Sequence, residues 1–261
     1  MAQVVRRRHL IRIVVAAISC VFVAGLVASW FVAGALIAPC PSLVGDATTD
    51  LAVTSFAIAS DSGSTISGWH TRSKRSRGVI VLLHGIRGSR LSMLDRARML
   101  DDLGYSTVMI DLQAHGESPG KQITVGYLEK HDVRAAVEFA RHKHPNEPIG
   151  VLGISLGGAA ALLASPLDID AIVVESVYTN INDAIHNRVA AKLGPLASVP
   201  SALLILQIEP RLGISPSLLR PIEHVSKVDC PIFIISGAAD LHTTAAETEA
   251  MFSAARDPKE L

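Results

Sequence analysis

The stretch Ile149-Gly150-Val151-Leu152-Gly153-Ile154-Ser155-Leu156-Gly157-Gly158 decides the fold. An apolar run over 149–152 leads into Gly153-Ile154-Ser155-Leu156-Gly157, which has the spacing G-x-S-x-G, and small residues of good helix-forming density continue over 158–164. That order describes a buried strand that turns sharply into a helix. Glycine on either flank lets the backbone crowd against itself, and the serine at the apex presents its hydroxyl. Ser155 is therefore the candidate nucleophile. Alone, the pattern also fits a glycine-rich strand-to-helix turn without chemistry, so the rest of the chain must decide.

Outward from this stretch, residues 51–59 alternate weakly as a strand, Asp61-Ser62-Gly63 turns, and 65–71 return as the second arm of a hairpin. Lys74-Arg75-Ser76-Arg77 reads as a solvated basic turn rather than a contact with lipid headgroups. Residues 79–83 form a continuous apolar run, as expected of a strand buried on both faces of a parallel sheet. The spacing of Leu91, Leu94, Ala97 and Leu100 predicts a helix over 89–103, stopped by Gly104. A strand over 105–110, a helix over 125–142 closed by Pro145, the strand 149–154, strands at 171–174 and 231–235, and a helix over 244–255 follow. Residues 177–228 interrupt this alternation with Pro195, Pro200, Pro210, Pro216 and Pro221 and with short apolar runs, as a helical, cap-like insertion does. The fold class is therefore α/β, with a doubly wound, mostly parallel sheet over 51–261. Such sheets bind ligands beyond the carboxyl ends of their strands.

Those ends carry His84-Gly85-Ile86-Arg87-Gly88 after Leu83, Asp111 through His115-Gly116-Glu117-Ser118 after Ile110, and Ser155 after Ile154. Glu175-Ser176 follows Val174, and Ser236-Gly237-Ala238-Ala239-Asp240 follows Ile235. Together the set resembles the α/β-hydrolase superfamily, and more narrowly its serine-aminopeptidase-like and lysophospholipase-like branch. The resemblance implies a triad in the order Ser, Asp, His, with Asp240 as its acid. Acyl transfer builds an oxyanion that fixed N–H donors must receive, and the resemblance assigns this role to the amides of Leu156 and Ile86. It also implies that His84, Gly85, Asp111, His115, Gly153 and Gly157 support the loops and the elbow. His84 and His115 then brace the loops beside the oxyanion hole rather than transfer protons. Arg87 reads as solvent-facing or loop-bracing, and Glu175 as hydrogen-bonded to local backbone. His142 and His144 read as interacting with a helix C-terminus rather than with metal. Neither a cofactor nor a metal is expected.

One part of the pattern is missing. In the family the triad histidine follows one further strand, whereas the only histidine after Asp240 is His242, two residues on. So close a neighbour can hardly be held by Asp240 and also reach Ser155. Asp257-Pro258-Lys259-Glu260-Leu261 reads like the entry to another strand. The expectation is a chain that lacks the last strand, the catalytic histidine and the final helix at its C-terminal end. Such a hydrolase is impaired, because removing the base alone cost about 10⁶ in turnover in one serine protease.

Residues 1–12 are basic, with Arg6-Arg7-Arg8-His9, and residues 13–38 contain no charge. That run exceeds the roughly 20 apolar residues that span a bilayer and is long for the roughly 7–15 of a secretory signal. A transmembrane helix or signal anchor is the preferred reading, over a signal cleaved at Ala33-Gly34-Ala35 and a secreted product. The arginines then leave the N-terminus cytoplasmic and put the hydrolase domain, beyond a linker at 39–50, outside. Cys20, Cys40 and Cys230 are too scattered for a disulfide framework or zinc site, and Cys40 and Cys230 read as unpaired thiols. Basic and acidic residues balance at 24 each, so nothing points to nucleic acid. The sequence predicts a membrane-anchored serine hydrolase acting on a small-molecule or lipid-like ester, or a thioester or amide, through an acyl-enzyme on Ser155. The alternative is a non-catalytic binding or scaffold module on the same fold.

Overall fold

The computed structural model describes residues 2–45, 51–74 and 76–261; residues 46–50 of the linker and Arg75 of the basic turn lie outside the described residues. The elements run α1 (Ala2–Ile37), β1 (Cys40–Pro41), β2 (Val53–Ala59), β3 (Thr65–Thr71), β4 (Val79–Leu83), α2 (Leu94–Asp102), β5 (Ser106–Ile110) and β6 (His115–Gly116). They continue with α3 (Glu129–Lys143), β7 (Ile149–Ile154), α4 (Leu156–Ala164), β8 (Ala171–Glu175), α5 (Ile181–Leu193), α6 (Ser198–Ile205), α7 (Ile208–Leu212), β9 (Ile232–Ile235), α8 (Ala245–Ala254) and β10 (Lys259–Glu260).

Eight strands form one sheet in the order β10-β9-β8-β7-β4-β5-β3-β2. All neighbours are parallel except β3, which runs antiparallel to both β2 and β5. The register brings Leu83 level with Gly153 on one side and with Ile110 on the other. The loops that follow these residues therefore meet at one rim. Side chains alternate across β4 as strand geometry requires. Val79, Val81 and Leu83 enter a core with Val133, Ala160 and Met251, while Leu82 enters a second core with Trp69, Met93, Ala97 and Met109. Every residue of α4 is buried, and its run of glycine and alanine allows the helix to sit down on the strands. On β9, Ile232 and Ile234 are buried whereas Phe233 and Ile235 on the opposite face are exposed.

The structure departs from the sequence expectation at two helix starts and in one strand pairing. The helix expected from 125 begins only at Glu129. Val125 (φ 53°) and Gly126 (φ 101°) are left-handed and cannot continue a right-handed helix. The Glu129 carboxylate secures that turn by accepting the amides of Thr124 and Gly126. The helix expected over 89–103 opens as a 3₁₀ turn, Arg90–Met93, which swings Leu91 out to 38% exposure while Leu94, Ala97 and Leu100 stay buried. A short parallel pairing of β1 with β6, Cys40 opposite His115, joins the end of α1 to the loop after β5 and had no local signature. The insertion is helical as expected, with α5, α6 and α7 separated by short turns.

Candidate active site

Ser155 sits at the apex between β7 and α4 with φ 49° and ψ −110°, a conformation that costs an L-residue on the order of 1–3 kcal/mol. Surrounding packing holds it there. The Ser155 amide donates to the Glu175 carbonyl at 2.8 Å, and the Ala159 amide donates to the Ser155 carbonyl at 2.9 Å. A Cβ on Gly157 would lie 2.5 Å from the Leu83 carbonyl oxygen, one on Gly153 2.6 Å from Gly158 Cα, and one on Gly158 2.4 Å from Val177 Cγ2. The crowding inferred from the G-x-S-x-G spacing is therefore physical, and it extends to Gly158.

The loop after β4 lies against this elbow, with a Cβ on Gly85 falling 3.7 Å from Ser155 Cβ. Ile86, Ser155 and Leu156 line one cavity of about 220 Å³. Among the described residues, the amides of Ile86 and Leu156 take no hydrogen-bond acceptor, which leaves both donors open.

Asp240 lies beyond β9, on the same rim as Ser155 beyond β7. Between them stands Ser176, which follows β8; its amide donates to the Ile235 carbonyl at 2.8 Å, and its carbonyl accepts the Thr243 hydroxyl at 3.2 Å. Burial pushes the Asp240 carboxyl up, but the amides of His242 (2.7 Å) and Thr243 (3.1 Å) and the Ser176 hydroxyl outweigh it and hold the group below its ordinary range. Asp240 is thus a carboxylate at neutral pH. His242 reaches Asp240 through its backbone, and its side chain is exposed. Among the described residues, no imidazole is hydrogen-bonded to Ser155 or to the Asp240 carboxylate.

His84 and His115 are fully buried, with rings 5.1 Å apart. The Leu112 amide donates to His84 Nε2 at 3.1 Å, so the proton sits on Nδ1 and points at the Gly85 carbonyl, 2.7 Å away. His115 Nδ1 lies 2.9 Å from the Gln113 carbonyl. The His84 ring thus ties the loop after β4 to the loop after β5, whereas the His115 ring bonds within its own loop. Asp111 accepts the amides of Arg90 (2.6 Å) and Glu117 (2.9 Å) and the buried Arg90 guanidinium, which also pairs with Glu117. A Cβ on Gly116 (φ 53°) would fall 2.2 Å from Asp111 Cγ, so the loop requires glycine there.

Burial lowers His84 to about 4, with His115 adding to the effect and the bond to Gly85 opposing it. His84 therefore contributes stability that is complete above the unfolded value near 6.5 and is lost as pH falls toward 4, about 3 kcal/mol in all. Asp132, which burial raises to about 6, acts in the opposite sense over much of that window, so the effect is best read at the ring itself. In an NMR titration the His84 imidazole is expected to stay neutral through pH 5. Protonation near 6.5 would contradict the bonding described.

Two expectations need correction. Glu175 does not bond local backbone; its carboxylate pairs with Arg96 at 2.7 Å. His144, read as interacting with the helix C-terminus, is a buried ring, with Nε2 2.8 Å from His70 Nε2 and Nδ1 3.1 Å from Glu147. His142 is exposed in the last turn of α3. Arg87 braces a loop by donating to the carbonyls of Ala35 (3.1 Å) and Leu36 (3.4 Å) at the end of α1. Cys40 and Cys230 are free. Arg90, the bond of Ser176 to Asp240 and the share of α1 in the cavity, which Ala33, Leu36 and Ile37 help to line, were not foreseen from the sequence.

Known proteins share this architecture. The esterase Pf2001 of Pyrococcus furiosus superposes with a TM-score of 0.69 over 85% of each chain at 23% identity. YqkD of Bacillus subtilis, an uncharacterized protein, is 26% identical over 80% of this chain and 70% of its own. A monoacylglycerol lipase of Mycolicibacterium smegmatis is 31% identical over 129 residues, 46% of each chain. The model of the serine aminopeptidase S33 family matches residues 74–215, more than half of the sequence and all of the elbow. The chain belongs to this family of α/β-hydrolase enzymes.

Proposed function

We propose that the protein is a membrane-anchored serine hydrolase that cleaves a carboxylic ester with an apolar acyl group through an acyl-enzyme on Ser155. The observation that carries this reading is the cavity over Ser155, whose wall is almost wholly apolar, with Ile181, Ile185, Leu204 and Leu219 beside Ile86 and Leu156. Ser155 Oγ attacks the ester carbonyl, and the oxyanion falls to the amides of Ile86 and Leu156. The alcohol leaves and water then releases the acid. In this reading Asp240 orients an imidazole that takes the Ser155 proton and returns it to the leaving alcohol. The described residues put no imidazole there, so turnover in these 261 residues is expected to be impaired by as much as about 10⁶. The esterase and monoacylglycerol lipase among the similar proteins support an ester rather than a peptide. The uncharged run of α1 and the arginines before it support an anchor with a cytoplasmic N-terminus.

The missing proton acceptor suggests a direct test. Added imidazole should accelerate p-nitrophenyl ester cleavage by the full chain at least about tenfold more than cleavage by Ser155→Ala, since a positioned base contributes roughly 10²–10⁴. Equal acceleration in both proteins would refute Ser155 as nucleophile. It would favour the second reading, a binding module on a hydrolase fold.

A further inference from the structure

The anchor helix is part of the pocket. Gly25, Ser29 and Ala33 of α1, four residues apart, turn one small-residue stripe toward the cap, as closely packed membrane helices do. A Cβ on Gly25 would lie 3.1 Å from Leu203 Cδ1. Gln207 donates to the Ser29 hydroxyl at 3.1 Å, and the Arg211 guanidinium stacks 3.8 Å from the centre of the Trp30 ring. Ala33, Leu36 and Ile37 then wall the cavity that opens on Ser155.

The position of α1 along the membrane normal follows from its charges. Arg12 is the last charged residue before the uncharged run. At 1.5 Å per residue, a hydrocarbon layer about 30 Å thick takes up roughly twenty residues and ends near residue 32. Trp30 then falls at the outer boundary, where aromatic residues concentrate. Positions 25 and 29 lie roughly 10 and 5 Å below that boundary, and Leu203 and Gln207 touch α1 at those levels. The cap is suited to such a depth. No charged residue occurs between Lys192 and Glu209. Leu196, Val199 and Leu206 are 77%, 69% and 60% exposed, an unpartnered apolar surface continuous with the α1 contact.

Resting on the reading of α1 as an anchor and of Ser155 as nucleophile, we infer that α6 lies in the outer leaflet of the bilayer, clamped there by α1. The cavity then takes its acyl chain directly from the membrane. The substrate class is a membrane-resident lipid ester, whose chain passes between α1 and the cap without crossing water.

The test reads depth in the full chain, reconstituted in phosphatidylcholine vesicles. Trp30→Phe removes the tryptophan already at the boundary, and Trp69 is buried and constant. In that background Val199→Trp should lose about half its emission when the lipids carry bromine along their acyl chains, consistent with an apolar face sunk roughly 5–10 Å. His142→Trp, at the opposite rim of the sheet, should not change. Emission from Val199→Trp that responds to aqueous acrylamide instead would place the cap in water and overturn the inference. Emission shielded from both quenchers would mean a second copy covers the surface, and would also overturn it. Depth is read without turnover, so an unreactive Ser155 leaves the result standing, and a cap found in water leaves the Ser155 chemistry intact.

Discussion

Gly157→Ala is expected to destabilise the protein by about 1–3 kcal/mol, the usual cost of overpacking a core, and to abolish acylation of Ser155. The new methyl group would meet the Leu83 carbonyl oxygen at 2.5 Å and Leu83 Cβ at 2.6 Å. Leu83 belongs to the central strand, paired on both sides, and has no room to retreat. The start of α4 must therefore lift. Lifting it relaxes the strained Ser155 backbone and carries the Leu156 amide away from its position beside Ile86. A shift of about 2–4 °C in unfolding midpoint per kcal/mol is expected for a domain of this size. An unchanged midpoint with undiminished reactivity would mean that the elbow is not as tightly built as described.

Arg90→Leu should have the largest effect on stability. Arg90 is 3% exposed and Asp111 0%. Removing one partner of a buried ion pair strands the other charge, typically at about 3–5 kcal/mol. The backbone amides of Arg90 and Glu117 still reach Asp111, which places the expected loss at the lower end of that range. The guanidinium also lies 4.7 Å from the centre of the Trp69 ring, so packing beneath the loop is lost as well. Denaturant unfolding measures this directly. A loss under about 1 kcal/mol, the level of an exposed pair, would show that the carboxylate is solvated or protonated in the native state.

What the sequence disclosed was local. Strands β4 and β7 coincide with the apolar runs read from them, because a strand buried on both faces writes itself as an uninterrupted apolar segment. The elbow was equally legible, since its glycines are needed by atoms a few residues away. What remained hidden depends on distance along the chain. Glu175 meets Arg96 and His70 meets His144 across more than seventy residues, and no periodicity announces such pairs. Ser176 was visible at a strand end, yet its link to Asp240 exists only because β8 lies between β7 and β9. Val125 adopts a left-handed backbone that β-branched residues rarely accept, so a helix start there was the reasonable expectation. The N-terminal helix α1 read as a separate element. Its spacing of Gly25, Ser29 and Ala33 was the available clue that it packs against something.

Ser155 is the group expected to react. The most direct measurement is peptide mapping of the full chain after prolonged exposure to a fluorophosphonate. Slow phosphonylation confined to the peptide that carries Ser155, and absent from Ser155→Ala, is the predicted result. An adduct on another residue, or one that persists in Ser155→Ala, would contradict it.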